Sequence, residues 1–593
     1  VHVVKSKNLY EEEGGEKMKL KTFLVAALLL VAMAALAACG GGATNEPTAT
    51  TPPAPATGGE AATAPADTPA APAAPAEGVR RVTHVHMSES PHMDPIRQND
   101  SATADINLQM YEGLVQFTPY PYNEIVPLLA TSWTQINPTT WEFNLRQGVQ
   151  FHDGADFNAD VWRWSIERLI DPREAAPALF VLEMIEDVIT VDTYTVHVVT
   201  EFPFVPLLGH LTHQTGYAVS PIAMFNEVHY RINSEGAGYE LSPWQEEVIA
   251  FGEAAGITPD PIMVTHRPVG TGPFMYGGRA SGDHTLLLAN DNHWRARPQI
   301  DELVFLVIPD PITRFAMVQT GDGNSMELAM GDVVQLPLHP QVMHHVIAGT
   351  GIDYIGFNFE RGPLADQRVR RALTHGLNAQ SVIDGAYEGI GIPAVGPIGP
   401  NVLHSPHDAL IGTRPEFNPE LARELLAEAG FVDNLELNFW TNHGNAGRLA
   451  TAEIAQHYWS QIGVTINVET IEWGVYLDMT AAGEHDLFML GWTTITGDPD
   501  YGTFSLFHSD FHGDPGNRTF YSNPRVDEIL VQGRMETDST ARAALYHELT
   551  ELLIEDAPWI WLRHPIQQWG TNGLNGFALD FNNRPHFANV TLQ

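Results

Sequence analysis

Two histidines set two residues apart are the first side chains whose spacing suggests chemistry. His84 and His86 sit in Val82-Thr83-His84-Val85-His86. On a strand both point to one face, which makes them a candidate metal pair; the bland alternative is a polar sheet surface. His92 follows close behind, whereas His344-His345 alternate faces if extended and cannot pair. His547-Glu548-Leu549-Thr550-Glu551 begins like a helical zinc motif, but Glu551 stands where a second histidine is required. No Gly-x-Ser-x-Gly elbow occurs. Every lysine lies at or before Lys21, so the rest of the chain has neither a P-loop lysine nor a Schiff-base lysine. The single cysteine, Cys39, excludes internal disulfides and cysteine metal clusters. No catalytic residue is assigned and no cofactor is expected. A secreted hydrolase remains only as a remote alternative.

The elements that position such residues read as α/β layers. Apolar, extended stretches at 82–87, 140–145, 303–308 and 464–470 read as strands. The pattern predicts a helix over 418–430: Asn418 is the N-cap, Pro419 takes the first turn, and Gly430 ends it. Leu421, Leu425 and Ala429 are its expected core face. A second helix over 448–462 leads into the strand at 464–470, and another strand is expected at 486–490.

The front end has its own logic. Lys19-Leu20-Lys21 precedes an apolar run from Phe23 to Ala37, and Leu36-Ala37-Ala38-Cys39 resembles a bacterial lipobox. The expectation is a lipoprotein signal over 18–38 with Cys39 as the lipid anchor, and 1–17 as an upstream extension. The Ala-, Pro- and Thr-rich tract over 39–78 lacks aromatics and is expected to be a disordered linker. The globular remainder belongs to a chain that is 44% hydrophobic with 13 Trp and 16 Tyr. A net charge of −41 excludes nucleic acid as a partner, since phosphate binding needs a basic face.

Several blocks, in order along the globular part, carry a family resemblance. They are Met93-Asp94-Pro95 leading to Tyr111-Glu112-Gly113-Leu114; Trp141-Glu142-Phe143-Asn144-Leu145-Arg146-Gln147-Gly148-Val149; Phe151-His152-Asp153-Gly154; Gly270-Thr271-Gly272-Pro273-Phe274; Arg368-Val369-Arg370-Arg371-Ala372-Leu373; Gly491-Trp492; Gly497-Asp498-Pro499-Asp500-Tyr501; and Tyr521-Ser522-Asn523-Pro524. Together they resemble the oligopeptide/dipeptide/nickel-binding class of ABC solute-binding proteins. The resemblance implies a two-lobed α/β periplasmic-binding-protein fold, with an extra subdomain and a ligand cleft between lobes joined by hinge strands. It places lobe I at 79–122, 261–345 and 563–593, the extra subdomain at 123–260, and lobe II at 346–562. It also implies a monomeric, extracytoplasmic receptor. That receptor would capture a peptide-like solute by lobe closure and pass it to ABC permease subunits, held at the membrane through Cys39.

The same resemblance nominates ligand-binding positions: Trp492, Asp498, Asp500, Tyr501, Trp440, Asn442, Arg448, Met93 and Tyr111. The chain departs from the dipeptide-binding branch at two of its anchors. Ile495 stands where an Asp would hold the peptide ammonium, and Asn442 where an Arg would hold the carboxylate, with Arg448 nearby. Asp498 and Asp500 are then candidates to meet an ammonium; the alternative is a turn with solvated carboxylates. Trp492, with an apolar face and one N–H donor, suits a ligand wall. The segment from Gly491 to Tyr501 looks closer to the glutathione-binding branch, and a nickel- or haem-binding receptor of the same fold is the runner-up.

Overall fold

The structure, a computed structural model, describes residues 78–593 except 98, 99, 123, 237, 514 and 515. The expected signal, lipid anchor and linker lie outside the described residues. No helix among those described is long and apolar enough to cross a membrane.

The chain builds two lobes, each around its own sheet. The first sheet has seven strands in the order 343–348, 566–571, 325–327, 81–86, 302–307, 284–289 and 274–280. Arg81–His86 lies inside it, parallel to Glu302–Val307 and to Ser325–Glu327. Alternation sends Val82, His84 and His86 to one face and Val85 to the other. Val82 and Val85 accordingly join different apolar clusters.

A four-stranded antiparallel sheet over Ala130–Asn137, Thr140–Leu145, Thr195–Thr200 and Ile185–Asp192 forms the extra layer of this half. It has no separate core: Phe143 and Trp162 pack in the same cluster as Val82 and Phe274. A buried ion network ties the layers together. Arg168 Nη1 donates to Asp94 Oδ1 at 3.0 Å, Arg168 also contacts Glu227 at 2.8 Å, and Arg231 pairs with Glu174 at 2.6 Å. Arginine's planar fork suits such multiply bonded buried carboxylates, a task a lysine's point charge fits less well.

The second sheet has six strands in the order 392–393, 559–564, 351–357, 487–493, 435–442 and 464–471. Helices cover one face around Phe357, Phe439 and Trp459, and an aromatic cluster covers the other around Tyr354, Trp440, Phe488 and Trp559. The helix Pro419–Glu428 is capped by Asn418, whose Oδ1 accepts from Leu421 N at 3.0 Å. Its most buried residues are Ala422 and Leu426, with Leu421, Leu425 and Ala429 half-buried beside them. Ala422 and Leu426 join the same apolar cluster as Val369 and Leu373 of the helix Gln367–His375.

The chain crosses between the sheets at Gly349-Thr350 and again at Pro565. Strand pairing continues past the expected boundaries at 345/346 and 562/563: Ala348 still pairs with Ile566, and His564 with Ile392. At the crossing the two strands touch. Gly349 N donates to Pro565 O at 2.7 Å, and a Cβ on Gly349 would stand 2.1 Å from that same oxygen. Only glycine fits there.

Candidate functional site: the cleft between the lobes

The crossings floor a cleft of about 880 Å³, lined from both sheets. The halves also touch away from the crossings. Val205 N donates to Arg534 O at 2.9 Å, and the loop at Gly497 packs on Phe117 and Phe581.

The second-lobe wall is aromatic. Gly491 and Trp492 end the strand Leu487–Thr493, and Trp473 opens the helix Trp473–Ala481. Trp492 Nε1 donates to Tyr501 O at 3.1 Å, which sets its ring 5.5 Å from that of Tyr501. Phe180, from the extra layer, stacks on Tyr501 at 5.9 Å. Trp473 is 45% exposed, a large apolar face turned to solvent in the cleft. Gly491 lies close to Asp353: a Cβ there would stand 2.7 Å from Asp353 Oδ1 and would push that side chain aside. Arg448 lies behind this wall. Its Nη1 donates to Asn442 Oδ1 at 2.7 Å and its guanidinium stands 5.6 Å over the Trp473 ring.

The first-lobe wall is titratable. His86, Asp105 and Glu327 come from three separate elements, with Trp569, Asn582 and Arg584 beside them. Asp100 caps the helix Ser101–Met110 by accepting from Thr103 N, and this helix carries Asp105. His86 Nε2 stands 3.7 Å from Asp105 Oδ2, a charge contact rather than a hydrogen bond. Burial pulls the His86 imidazole down, but the attraction of Asp105 outweighs it and the net shift is up. Burial raises the Asp105 carboxyl, and burial together with the charge of Asp105 pushes Glu327 up to about 7. His84, fully buried behind them, is held well below the usual histidine range by burial and by His86. Its ring stacks on Trp569 at 5.5 Å. The polar-surface alternative for this histidine pair is therefore overturned for His84. His92 is not part of the group; its Nδ1 lies 3.1 Å from Thr265 Oγ1.

Of the residues nominated from the sequence, Trp492 and Tyr501 stand in the cleft wall and the others do not. Asp498 and Asp500 are buried and paired rather than a solvated turn. Arg542 grips Asp498 with two bonds of 2.6 Å, and Arg534 Nε donates to Asp500 at 2.8 Å, so their charge is spent on anchoring two helices. Although burial alone would raise the Asp498 carboxyl, the Arg542 guanidinium holds it below the usual carboxylate range. Trp440 is core, on the face opposite Phe439. Asn442 and Arg448 satisfy each other behind the wall. Met93 is buried in the first-lobe core; Tyr111, also buried, lines a separate cavity of about 350 Å³.

Sequence reasoning missed Asp105, Glu327, Trp473, Trp569, Asn582 and Arg584. Only Trp473 carried a local signal, as a large aromatic at a helix start; the rest meet through long-range pairing.

Residues 124–514 match the model for bacterial extracellular solute-binding proteins, family 5. The chain belongs to this family. Members bind solutes outside the cytoplasm and are receptors rather than enzymes. Among its relatives, Di/tripeptide-binding protein 2 of Pseudomonas aeruginosa is 30% identical over 500 residues, 80% of this chain and 87% of the relative. Heme-binding protein A of Haemophilus influenzae is 28% identical over 484 residues, 77% of this chain and 82% of the relative. Among solved structures, HbpA2 from Haemophilus parasuis aligns with a TM-score of 0.72 at 26% identity, covering 86% of this chain and all of that one. The two-lobed fold expected from the sequence is the fold of this family.

Proposed function

We propose that this family 5 receptor captures a small peptide-like solute in the cleft and delivers it to the permease of an ABC importer. The observation that carries the reading is the contrast between the walls. An aromatic surface of Trp473, Trp492 and Tyr501 faces a wall holding Asp105 and Glu327 across about 880 Å³. That volume suits a solute of drug or short-peptide size. The aromatic wall takes apolar side chains, and the carboxylates favour a solute with a cationic end. These carboxylates come from the first lobe, which supports a binding mode different from the dipeptide branch, where the expected second-lobe position is Ile495. A solute touching both walls selects the closed form. The P. aeruginosa relative's name supports a peptide-like solute.

In the same reading Cys39 carries a lipid, the segment over 39–78 tethers the receptor to the outer face of the cell membrane, and the receptor works as a monomer. Lobe I spans 79–122, the segment from 261 to the Gly349 crossing, and the residues after Pro565, with the extra subdomain at 123–260 and lobe II between the crossings.

Calorimetric titration with a panel of di- and tripeptides and glutathione tests the proposal. One solute per chain, with affinity lost on Trp492→Ala, is expected. Binding left untouched by that substitution refutes the cleft assignment.

A further inference from the structure

We propose that His84, His86 and Asp105 form a binding site for one divalent transition-metal ion in the first-lobe wall of the cleft. One ligand atom from each lies within 4.8 Å of the others. Ligand atoms about 2.1 Å from one tetrahedral ion stand about 3.4 Å apart, so side-chain rotation is needed to close the set around it.

The surroundings are those of a prepared site. His86 Nδ1 is 2.8 Å from the Ser88 carbonyl, to which it can donate, while Nε2 faces Asp105 Oδ2 at 3.7 Å and is the nitrogen placed to ligate an ion. His84 Nδ1 is 3.1 Å from Ser325 Oγ, so Nδ1 is engaged and Nε2 is the nitrogen left to meet an ion. That Nε2 is on a side chain with no exposed surface and has no hydrogen-bond partner among the described residues. An orphaned buried nitrogen is costly, and a metal ion is the partner that its neighbours are equipped to share.

Around the pair, Trp569 and Phe305 lie 5.5 and 5.2 Å from the His84 ring and exclude water from the closed side. On the open side His86 and Asp105 line the cleft, so an ion held there keeps positions for water or for donor atoms of a bound molecule. Two imidazoles and a carboxylate suit zinc, nickel, cobalt or copper rather than calcium or magnesium, which prefer all-oxygen shells. Glu327 lines the same stretch of the cleft wall. The inference does not depend on which solute the cleft takes.

The test uses the full chain, stripped with a chelator and titrated with cobalt(II) and zinc(II), with metal content measured after desalting. One ion per chain is expected, with a visible cobalt spectrum of mixed nitrogen and oxygen ligation. Copper(II) loading is expected to show coupling to two imidazole nitrogens by electron paramagnetic resonance. His86→Gln and Asp105→Asn each lower affinity by roughly 100-fold or more while leaving circular dichroism unchanged. His84→Gln is included, but the two cleft-facing variants decide the matter because they sit outside the aromatic core. Absence of stoichiometric binding, or binding indifferent to both of those variants, overturns the site. Peptide titrations run in chelator report on the receptor reading separately, so failure of one does not mimic failure of the other.

Discussion

The two walls of the cleft are built in different ways. The second-lobe wall comes mainly from one run of chain, Gly491 to Tyr501, with Trp473 added. Its groups are rings and glycine, and its charges are spent elsewhere, on Arg542 and Arg534. The first-lobe wall draws His86, Asp105 and Glu327 from a strand, a helix and another strand that lie apart in the sequence. One wall offers area and shape; the other offers titratable charge. A receptor that divides the work in this way can vary the polar end of its solute by changing the first wall alone. Substitutions can break or sharpen this contrast.

The largest effect is expected where a charge of the aromatic side is purely structural. Asp498→Asn leaves Arg542 buried with a neutral partner and should destabilise the chain by about 3–5 kcal/mol in denaturant unfolding. Affinity for solute, measured on the folded fraction, should not change. A selective loss of affinity at unchanged stability would return Asp498 to the binding site.

Trp492→Ala should cost about 2–4 kcal/mol of binding, and equally at low and high salt, since the lost contact is apolar. A salt-dependent loss would mean that this wall also works through charge.

Acid stability is expected next to draw on buried histidines, which the second sheet holds as the first-lobe wall does in His84. His485, inside the second lobe, and His564, on the strand returning to the first, are both held at about 3 by burial. Unfolded histidine titrates near 6.5, so below that pH the unfolded chain binds more protons than the folded one, and stability falls as pH drops. Between about pH 6.5 and pH 5 each contributes on the order of 2 kcal/mol of lost stability. A melting series across that range should show the decline, and His485→Asn should flatten it. A slope unchanged by the substitution would assign acid sensitivity elsewhere.

The smallest effect is expected from Asp105→Asn measured in chelator. A solute with a cationic end should bind roughly 5- to 10-fold more weakly, and the difference should shrink at high salt. No change, or tighter binding, would show that the solute's charged end faces away from this wall.

Legibility in the sequence followed the same division. The strand at 140–145 coincides with Thr140–Leu145, and the cap at Asn418 stands as its residue type dictates. Trp492 could be read as a wall residue because its neighbours in sequence are also its neighbours in space. Asp498 and Asp500 misled for the opposite reason. Acidic residues in a turn look solvated until the helices Pro524–Met535 and Ser539–Asp556 place Arg534 and Arg542 against them. Trp440 misled because Phe439 and Trp440 alternate between two buried faces, and a strand covered on both sides gives no periodic sign of which face is core. The side-by-side placement of His84 and His86 followed from strand alternation alone; the burial of one and the carboxylates beside the other did not.

What the sequence determined by itself was the class of protein, its layered α/β elements, and the absence of lysine chemistry and disulfides. These depend on residue type, local periodicity and the order of motif blocks. The tertiary structure alone decided which charges are free to act. Ion pairing and desolvation depend on groups hundreds of residues apart, as when Ser325 meets His84 across one strand pair. Coulomb attraction and the loss of water act through distance in space, and separation along the chain does not encode that distance.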